Sequence, residues 1–180
     1  MKQQNFFVFG LPRSRTAWFS NLLTTDDSIC LHEYSPFNGY EKMQKIFKES
    51  GMKYCGESNP NPQFFFETKK HYPDSPFVYI RRPFKESLLS LIKLPIKEKP
   101  PNNAIEKVMI SASSNIDKIL SDKNLLIVDF HSITEGVCEQ VIKHCMPDKE
   151  INMLRIRHLL YLNIQRNEKT IYDFKEYFLK

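Results

Sequence analysis

The sequence of 180 residues lacks any long apolar run and any signal-peptide layout. A helix that spans a bilayer needs about 20 consecutive apolar residues, and no stretch of this chain approaches that length. The N-terminus, MKQQNFFVFG, leads directly into a strand-like apolar segment and has no secretory leader pattern. We therefore expect a cytoplasmic protein with no membrane partner.

The sequence also lacks paired cysteines, since no CxxC motif occurs among its four cysteines. Neither His32 nor His144 stands at a usual zinc-ligand spacing from them. We therefore predict no metal site and four buried, reduced thiols. The thiols are those of Cys30, Cys55, Cys138 and Cys145. The net charge of +5 is modest and diffuse, which suits an anionic small molecule and does not indicate nucleic-acid binding.

No internal repeat or low-complexity tract interrupts the chain, and its length fits one domain. Apolar segments alternate with helical segments, which predicts an α/β fold with a parallel sheet flanked by helices. The predicted strands are 6–9, 28–31, 52–55, 77–80 and 125–129. Residues 56–60 are the predicted polar exit of the third strand, and the apolar run 125–129 predicts a buried strand. The predicted helices include one after Thr16 and others over 40–50, 84–93, 104–120 and 153–162. We assign one domain to 1–180, with a core over about 5–145 and a C-terminal helix and tail over 146–180.

Several helix ends carry recognisable signals. Gly51 is placed to end the helix 40–50. Asn61 has the position of an N-cap before Pro62, in a helix that ends before Pro73. Ser132 and Glu135 have the spacing of a capping box for a helix that ends near Cys145. The segment 93–103 holds three prolines and three lysines, which predicts a mobile loop in the position of a lid.

Residues 6–23, FFVFGLPRSRTAWFSNLL, carry the strongest functional signal. Gly10 and Pro12 end the apolar strand and open a polar loop, after which a helix begins. Backbone amides of such a loop and the helix N-terminus attract an anion. The loop adds two guanidiniums and two hydroxyls, and Arg binds phosphate or sulfate bidentately. These side chains are Arg13, Ser14, Arg15 and Thr16. The sequence predicts an anion site here; a basic surface turn is the alternative interpretation.

The loop is not a Walker A motif. Counting G-x-x-x-x-G-K-S/T from Gly10 places Arg15 at the second Gly and Thr16 at the Lys. The segment from Pro12 to Trp18, PRSRTAW, instead resembles the 5′-phosphosulfate loop of the sulfotransferase superfamily, PRSGTTW or PKSGTTW, at five of seven positions. Arg15 replaces a Gly, and Ala17 replaces a Thr. Arg15 therefore either takes a positive φ and is strained, or takes an ordinary φ and adds a second anion contact.

A second signal follows the strand 77–80. In sulfotransferases a strand ends in an Arg, and a Ser eight residues later joins it at the 3′-phosphate of the nucleotide. Arg82 and Ser90 have this spacing, and Arg81 and Ser87 are the alternates because the register is open. An Arg at the carboxyl end of a parallel strand points into the crevice where α/β folds bind ligands. A salt-bridged pair of arginines at a helix start is the alternative interpretation.

Two further segments extend the resemblance from about residue 5 to 145. Residues 54–60, YCGESNP, are similar to a GEKSP-like stretch of the family. Residues 124–133, NLLIVDFHSI, are similar to a strand followed by Tyr-Glu-Asp-Leu. An Arg-Lys-Gly segment is missing late in the chain, and the chain is shorter than many members. The resemblance thus implies a compact, P-loop-like sulfotransferase fold with a reduced acceptor site.

The resemblance implies transfer of a sulfuryl group from 3′-phosphoadenosine 5′-phosphosulfate (PAPS) to a hydroxyl or amine. Adenosine 3′,5′-bisphosphate (PAP) is then the product, and no metal is required. Residues from Arg13 to Trp18 would hold the nucleotide, and Arg13 would also stabilise developing charge. The acceptor must lose a proton to a general base, for which Glu33 is the first candidate, His32 the second and Glu57 the third. The acceptor, a small molecule, glycan or peptide, and the oligomeric state stay open.

Two other functions are compatible with the sequence. A P-loop kinase or nucleotide hydrolase is one, because the segment 125–129 ends in an Asp like a Walker B strand, although the P-loop Lys is missing. The other is a sulfotransferase-like module that binds a nucleotide without turnover, which Arg15 and the short C-terminal part favour.

Overall fold

The computed structural model describes residues 3–94 and 100–162. Five parallel strands form one sheet in the order β2-β3-β1-β4-β5. The strands are β1 (Gln4–Gly10), β2 (Ser28–His32), β3 (Tyr54–Asn59), β4 (Phe77–Arg81) and β5 (Leu125–Asp129). This architecture confirms the predicted α/β class with a parallel sheet.

Helices flank the sheet on both faces. They are α1 (Thr16–Leu22), α2 (Ser35–Asn38), α3 (Tyr40–Ser50), α4 (Phe65–His71), α5 (Phe84–Ile92), α6 (Asn102–Ser113), α7 (Ile116–Leu120), α8 (Glu135–Cys145) and α9 (Met153–Tyr161). Short 3₁₀ turns cover Pro62–Phe64 and Phe130–Ser132. Among the described residues, none of these helices combines the length and the apolar character that crossing a bilayer requires.

The central strand β1 is buried on both faces, as its apolar run predicts. Phe6 and Val8 join a core with residues of α1, α8 and α9. Phe7 and Phe9 face the other side and join a core with residues of α3, α4 and α7. Since successive side chains of a strand point to opposite faces, β1 connects the two cores of a three-layer structure.

Gly56 on β3 permits the close contact between β3 and β1. A Cβ at this position would overlap the ring and the carbonyl oxygen of Phe6. Because β1 lies in the middle of the sheet, it cannot move aside. We expect Gly56→Ala to lower the free energy of unfolding by about 3 kcal/mol, the upper part of the overpacking range, measured by denaturant titration.

Gly136 supplies the matched control for this substitution. It lies in α8, and beyond its chain neighbours and its own helix backbone no atom lies within 4 Å of an added Cβ. Gly136→Ala should raise the free energy of unfolding by up to about 1 kcal/mol, because Ala is the better helix former. Equal losses in the two variants would contradict the role assigned to Gly56.

The third strand differs from its prediction. The sequence suggested a strand over 52–55 with a polar exit over 56–60, but β3 runs to Asn59 and is buried throughout. Its polar residues are accommodated by tertiary contacts. The Glu57 carboxylate accepts hydrogen bonds from Ser35, and Ser58 Oγ donates to the Thr16 carbonyl at 2.8 Å. The prediction placed the end of the strand too early because it relied on the polarity of residues 57–59.

The helix predicted over 104–120 is two helices, α6 and α7. The break lies at Ser114 and Asn115, where Ser114 Oγ donates to the Ser111 carbonyl and Asn115 leaves helical geometry with φ −107° and ψ 5°. Ser and Asn side chains compete with helical backbone hydrogen bonds. The apolar spacing continues across the break and so concealed it.

The predicted capping box before α8 is wrong in its capping residue. The N-cap is Thr134, whose Oγ1 accepts from the Val137 N–H at 3.4 Å, whereas Ser132 lies in the preceding 3₁₀ turn.

The prediction that 125–129 is a buried strand is also wrong. Strand β5 is an edge strand with only Val128 buried, and Ile127 is 39% exposed.

The predictions for the ends of α3 and α4 and for the cysteines are confirmed. Helix α3 ends at Gly51 in left-handed geometry, with φ 65°. Asn61 accepts from the Gln63 N–H at 3.1 Å, and α4 ends before Pro73. All four cysteines are buried and free. Helix α9 packs into the same core as α1 through Ile156 and Leu159, so the core extends beyond residue 145. Of the loop predicted over 93–103, residues 95–99 lie outside the described residues, whereas Asn102 and Asn103 begin α6 and so are helical.

Candidate functional site

The site lies where the sheet topology changes direction. The connection after β1 leads through α1 to β2 on one side of the sheet, and the connection after β4 leads to β5 on the other side. The crevice beyond the carboxyl ends of two such neighbouring strands is where open α/β sheets bind ligands. The loop 11–15 follows β1, and Arg82 follows β4. Both predicted clusters therefore border one crevice.

Hydrogen bonds connect the two clusters directly. Arg13 Nε donates to Ser90 Oγ at 3.4 Å, and Arg82 Nη1 donates to the Arg13 carbonyl oxygen. Ser87 is fully buried, and its Oγ donates to the carbonyl oxygen of Pro12. Arg82 and Ser90 thus meet the loop at the crevice, while Ser87 anchors the loop backbone from beneath.

Arg81 is directed to the edge of the sheet. Its Nη2 lies 3.3 Å from Asp129 Oδ2, and both side chains are substantially exposed. Of the two alternatives that the sequence left open, the structure therefore brings Arg82 and Ser90 to the loop and leaves Arg81 in a surface ion pair.

Three guanidiniums share the crevice. Burial lowers the pKa of Arg13. Burial is also the main cause that lowers the pKa of Arg82; the Glu86 carboxylate opposes it, and the charges of Arg13 and Arg15 reinforce it. Within 3–94 and 100–162, the only carboxylate in ion-pair range of these three arginines is Glu86, 3.9 Å from Arg82 Nε. Arginine stays protonated, so the crevice holds an excess of positive charge that favours an anion.

Two buried polar atoms of the cluster have no hydrogen-bond partner in the described part of the chain. They are Ser14 Oγ and Arg82 Nε, although Glu86 lies 3.9 Å from Arg82 Nε. Buried polar groups in native proteins are nearly always hydrogen-bonded. These two atoms therefore favour a ligand that accepts hydrogen bonds.

Arg13 and Arg15 both have left-handed backbone geometry, with φ 69° and φ 63°. For residues other than Gly this conformation costs roughly 1–2 kcal/mol each. Arg15 nevertheless belongs to the cation cluster, since its Cζ lies 5.1 Å from the centroid of the Phe130 ring and Arg82 Cζ lies 4.1 Å from it. The positive-φ alternative for Arg15 is the observed one.

Phe130 was missed by the sequence reasoning. The available signal was its place directly after Asp129 at the end of β5, because all carboxyl ends of a parallel sheet lie at one edge. Which arginines would reach its ring was not readable from the sequence.

Ala17 and Trp18, the last two residues of the PRSRTAW segment, make contacts within α1 and the core. The Trp18 side chain is 4% exposed, and its Nε1 donates to the Leu159 carbonyl oxygen at 2.8 Å. Trp18 therefore joins α1 to α9 in the core rather than lining the crevice. The Ala17 carbonyl accepts from Ser20 Oγ at 2.8 Å within α1.

The two first base candidates lie beside the loop. His32 Nε2 is 3.3 Å from Thr16 Oγ1, and His32 Nδ1 is 3.6 Å from Glu33 Oε2. Burial, and secondarily the charge of Glu57, raise the pKa of Glu33. Contacts thus run from the Glu33 carboxylate through His32 to Thr16, where the loop after β1 ends.

Glu57 has a different environment. It is fully buried, and its two carboxylate oxygens accept from the Ser35 N–H and the Ser35 hydroxyl, each at 2.6 Å. Burial raises the pKa of Glu57 although these hydrogen bonds oppose the shift. The contacts give Glu57 a supporting role for the segment that follows β2.

Asp129, the residue in the Walker B-like position, is not adjacent to the loop. Strand β4 lies between β5 and β1, and the Asp129 carboxylate pairs with Arg81 and accepts from the His131 N–H at 3.1 Å. No group of three or more His, Cys, Asp or Glu side chains with metal-site geometry occurs in the described ranges.

Comparison with known proteins identifies the fold and leaves the family open. No protein-family profile matches the sequence, and no curated protein matches it. Among solved structures, mouse sulfotransferase SULT7A1 in complex with PAP matches with a TM-score of 0.59 and 13% identity, over 88% of this chain. This chain spans 64% of the length of that sulfotransferase.

Two shikimate kinases are also similar at lower scores. The enzyme from Bacteroides thetaiotaomicron has a TM-score of 0.47 and 10% identity, over 88% of this chain and 99% of its own. The enzyme from Aquifex aeolicus has a TM-score of 0.46 and 13% identity, over 77% of this chain and 94% of its own. The similarity to the sulfotransferase structure, at a TM-score of 0.59 and 13% identity, establishes the fold alone, a P-loop-like α/β architecture.

Proposed function

We propose that this protein is a compact cytoplasmic sulfotransferase that uses PAPS. The observation that carries the proposal is the meeting of two clusters at one crevice: Arg13 of the PRSRTAW loop contacts Ser90, and Arg82 contacts the Arg13 carbonyl oxygen. The fold shared with a PAP-bound sulfotransferase supports it. The acceptor is a hydroxyl or amine of a small molecule, glycan or peptide.

Bound PAPS supplies the sulfuryl group: its S–O bond to the phosphate breaks, a bond from sulfur to the acceptor O or N forms, and the acceptor proton leaves. The protein acts mainly by positioning and charge stabilisation, as in phosphoryl transfer. Arg13, with the loop amides and Thr16, is placed to stabilise negative charge on the bridging oxygen. Arg82 and Ser90 hold the 3′-phosphate at the other end of the nucleotide.

We assign the acceptor proton to His32, with Glu33 as its positioning partner. His32 is placed ahead of Glu33 because its Nε2 lies 3.3 Å from Oγ1 of Thr16, where α1 begins directly after the loop. Glu33 lies at the other ring nitrogen, where a carboxylate favours the tautomer with a proton on Nδ1 and leaves Nε2 able to accept. A general base of this kind accelerates transfer to an acceptor hydroxyl or amine.

The roles of Arg82 and Arg81 can be separated by substitution. Arg82→Ala should weaken PAP binding about 10- to 100-fold, because a charge-assisted contact to the 3′-phosphate is lost. Arg81→Ala should leave the dissociation constant within about twofold, since it removes only a surface ion pair. Isothermal titration calorimetry with PAP measures both.

Thermal melting of the two variants controls for folding. Equal weakening in both variants would contradict the assignment of Arg82 to the 3′-phosphate. Stronger weakening in Arg81→Ala would reverse the register of the pair.

The proposed function as a whole is tested by ligand preference and turnover. The protein should bind PAP more tightly than ATP or AMP and transfer sulfate from PAPS to an acceptor. Magnesium-dependent ATP turnover would favour a kinase or hydrolase, which the fold also accommodates. Tight PAP binding without transfer to any acceptor would leave a non-catalytic binding module.

A further inference from the structure

Arg15 and Phe130 form a part of the crevice to which the proposed transfer assigns no role. Arg15 stands where the resembling loop has a Gly, and it holds φ 63°. Its Cζ lies 5.1 Å from the centroid of the Phe130 ring, and Arg82 Cζ lies 4.1 Å from the same centroid. Two guanidiniums therefore share one aromatic ring.

The shared ring explains how two like charges stay close. The negative face of an aromatic ring attracts a cation, so Phe130 offsets part of the repulsion between Arg15 and Arg82. In the residues that the structure describes, no carboxylate is in ion-pair range of Arg15, and Arg82 has Glu86 at 3.9 Å. Glu86 also lies 2.9 Å from His131 Nε2. A doubly charged anion between the two guanidiniums would supply the missing negative charge.

The backbone conformation of Arg15 also supports a role in ligand binding. Gly adopts a positive φ without strain, and strained positions of this kind concentrate at ligand sites. An arginine at this position is therefore strained relative to Gly. The position of its guanidinium beside Arg82, where it can bind an anion, accounts for that strain.

Building on the proposed function, we propose that Arg15 is a second cation of the 3′-phosphate subsite, and that Phe130 is a positioning residue for Arg15 and Arg82. The ligand class is a nucleotide with a 3′-phosphomonoester, whose dianion is matched by two guanidiniums. Arg15 then determines specificity for the 3′-phosphate rather than for the 5′ end of the nucleotide.

The test compares PAP with AMP, which lacks the 3′-phosphate, by calorimetry. Arg15→Gly should weaken PAP binding about 10- to 100-fold and leave AMP binding within about twofold. Phe130→Leu keeps an apolar side chain but removes the π face, so PAP binding should weaken about 2- to 30-fold. Phe130→Tyr retains the π face and should restore the wild-type affinity for PAP.

Thermal melting separates a binding role from a structural one, and each variant should melt within about 4 °C of the wild type. Unchanged PAP affinity in Arg15→Gly, or equal weakening of PAP and AMP, would overturn this inference while the proposed function stands. A wild-type protein that binds PAP no better than AMP would overturn the proposed function, and the 3′-phosphate assignment with it.

Discussion

His32→Ala should lower the turnover number with PAPS about 10²- to 10⁴-fold, the range for loss of a general base. PAP affinity should stay within about threefold of the wild type, because His32 is assigned to the acceptor proton and not to the nucleotide. The physical reason is the position of its Nε2, 3.3 Å from Thr16 Oγ1 at the anion loop. Steady-state kinetics and PAP calorimetry on the same preparation measure both quantities.

Two further variants sharpen this prediction. Glu33→Gln should cause a smaller loss of turnover, because Glu33 contacts His32 through Nδ1 and has no assigned contact with the acceptor. His158→Ala, on the exposed side of α9, should leave turnover unchanged. Normal turnover in both His32→Ala and Glu33→Gln would remove the base from this part of the crevice.

Arg13→Met should lower the turnover number about 10²- to 10³-fold, the usual effect of removing one donor to a developing negative charge. Met keeps an unbranched side chain of similar length but has no guanidinium. Since the assigned contact forms mainly in the transition state, kcat and kcat/KM should fall together. Steady-state kinetics with varied PAPS distinguishes this outcome from a loss of ground-state binding.

Arg157→Met is the matched control for Arg13→Met. Arg157 is an exposed arginine of α9 that pairs with Glu135 at 3.1 Å, and the proposed reaction assigns it no role. Its substitution should leave kcat and KM unchanged. A rise in KM with normal kcat in Arg13→Met would make Arg13 a binding residue only.

The local part of the site was predictable from the sequence. The apolar run 6–9 and the residues after it predicted both β1 and the basic loop that follows it, because strand burial and loop composition are properties of neighbouring residues. The spacing of Arg82 and Ser90 could be read, but the choice over Arg81 could not. That choice depends on the Asp129 carboxylate, 3.3 Å from Arg81 and supplied by a strand 48 residues later.

Long-range contacts also explain why two predictions about the strands were wrong. Glu57 and Ser58 looked like the polar exit of a strand, yet they are buried because Ser35 and Thr16 provide their hydrogen-bond partners. Strand β5 looked fully buried because its residues are apolar, but its place at the sheet edge exposes Ile127. Sequence periodicity reports the character of a side chain and not the neighbours that surround it.

By itself the sequence determined the α/β alternation, the central strand and the concentration of positive charge after it, since each follows from residues adjacent along the chain. Only the tertiary structure decided which arginine meets the loop, that Phe130 lies against two guanidiniums, and that His32 reaches Thr16. These outcomes require separate strand ends to meet at one edge of a parallel sheet, and the order of strands in that sheet is set by packing across the whole domain.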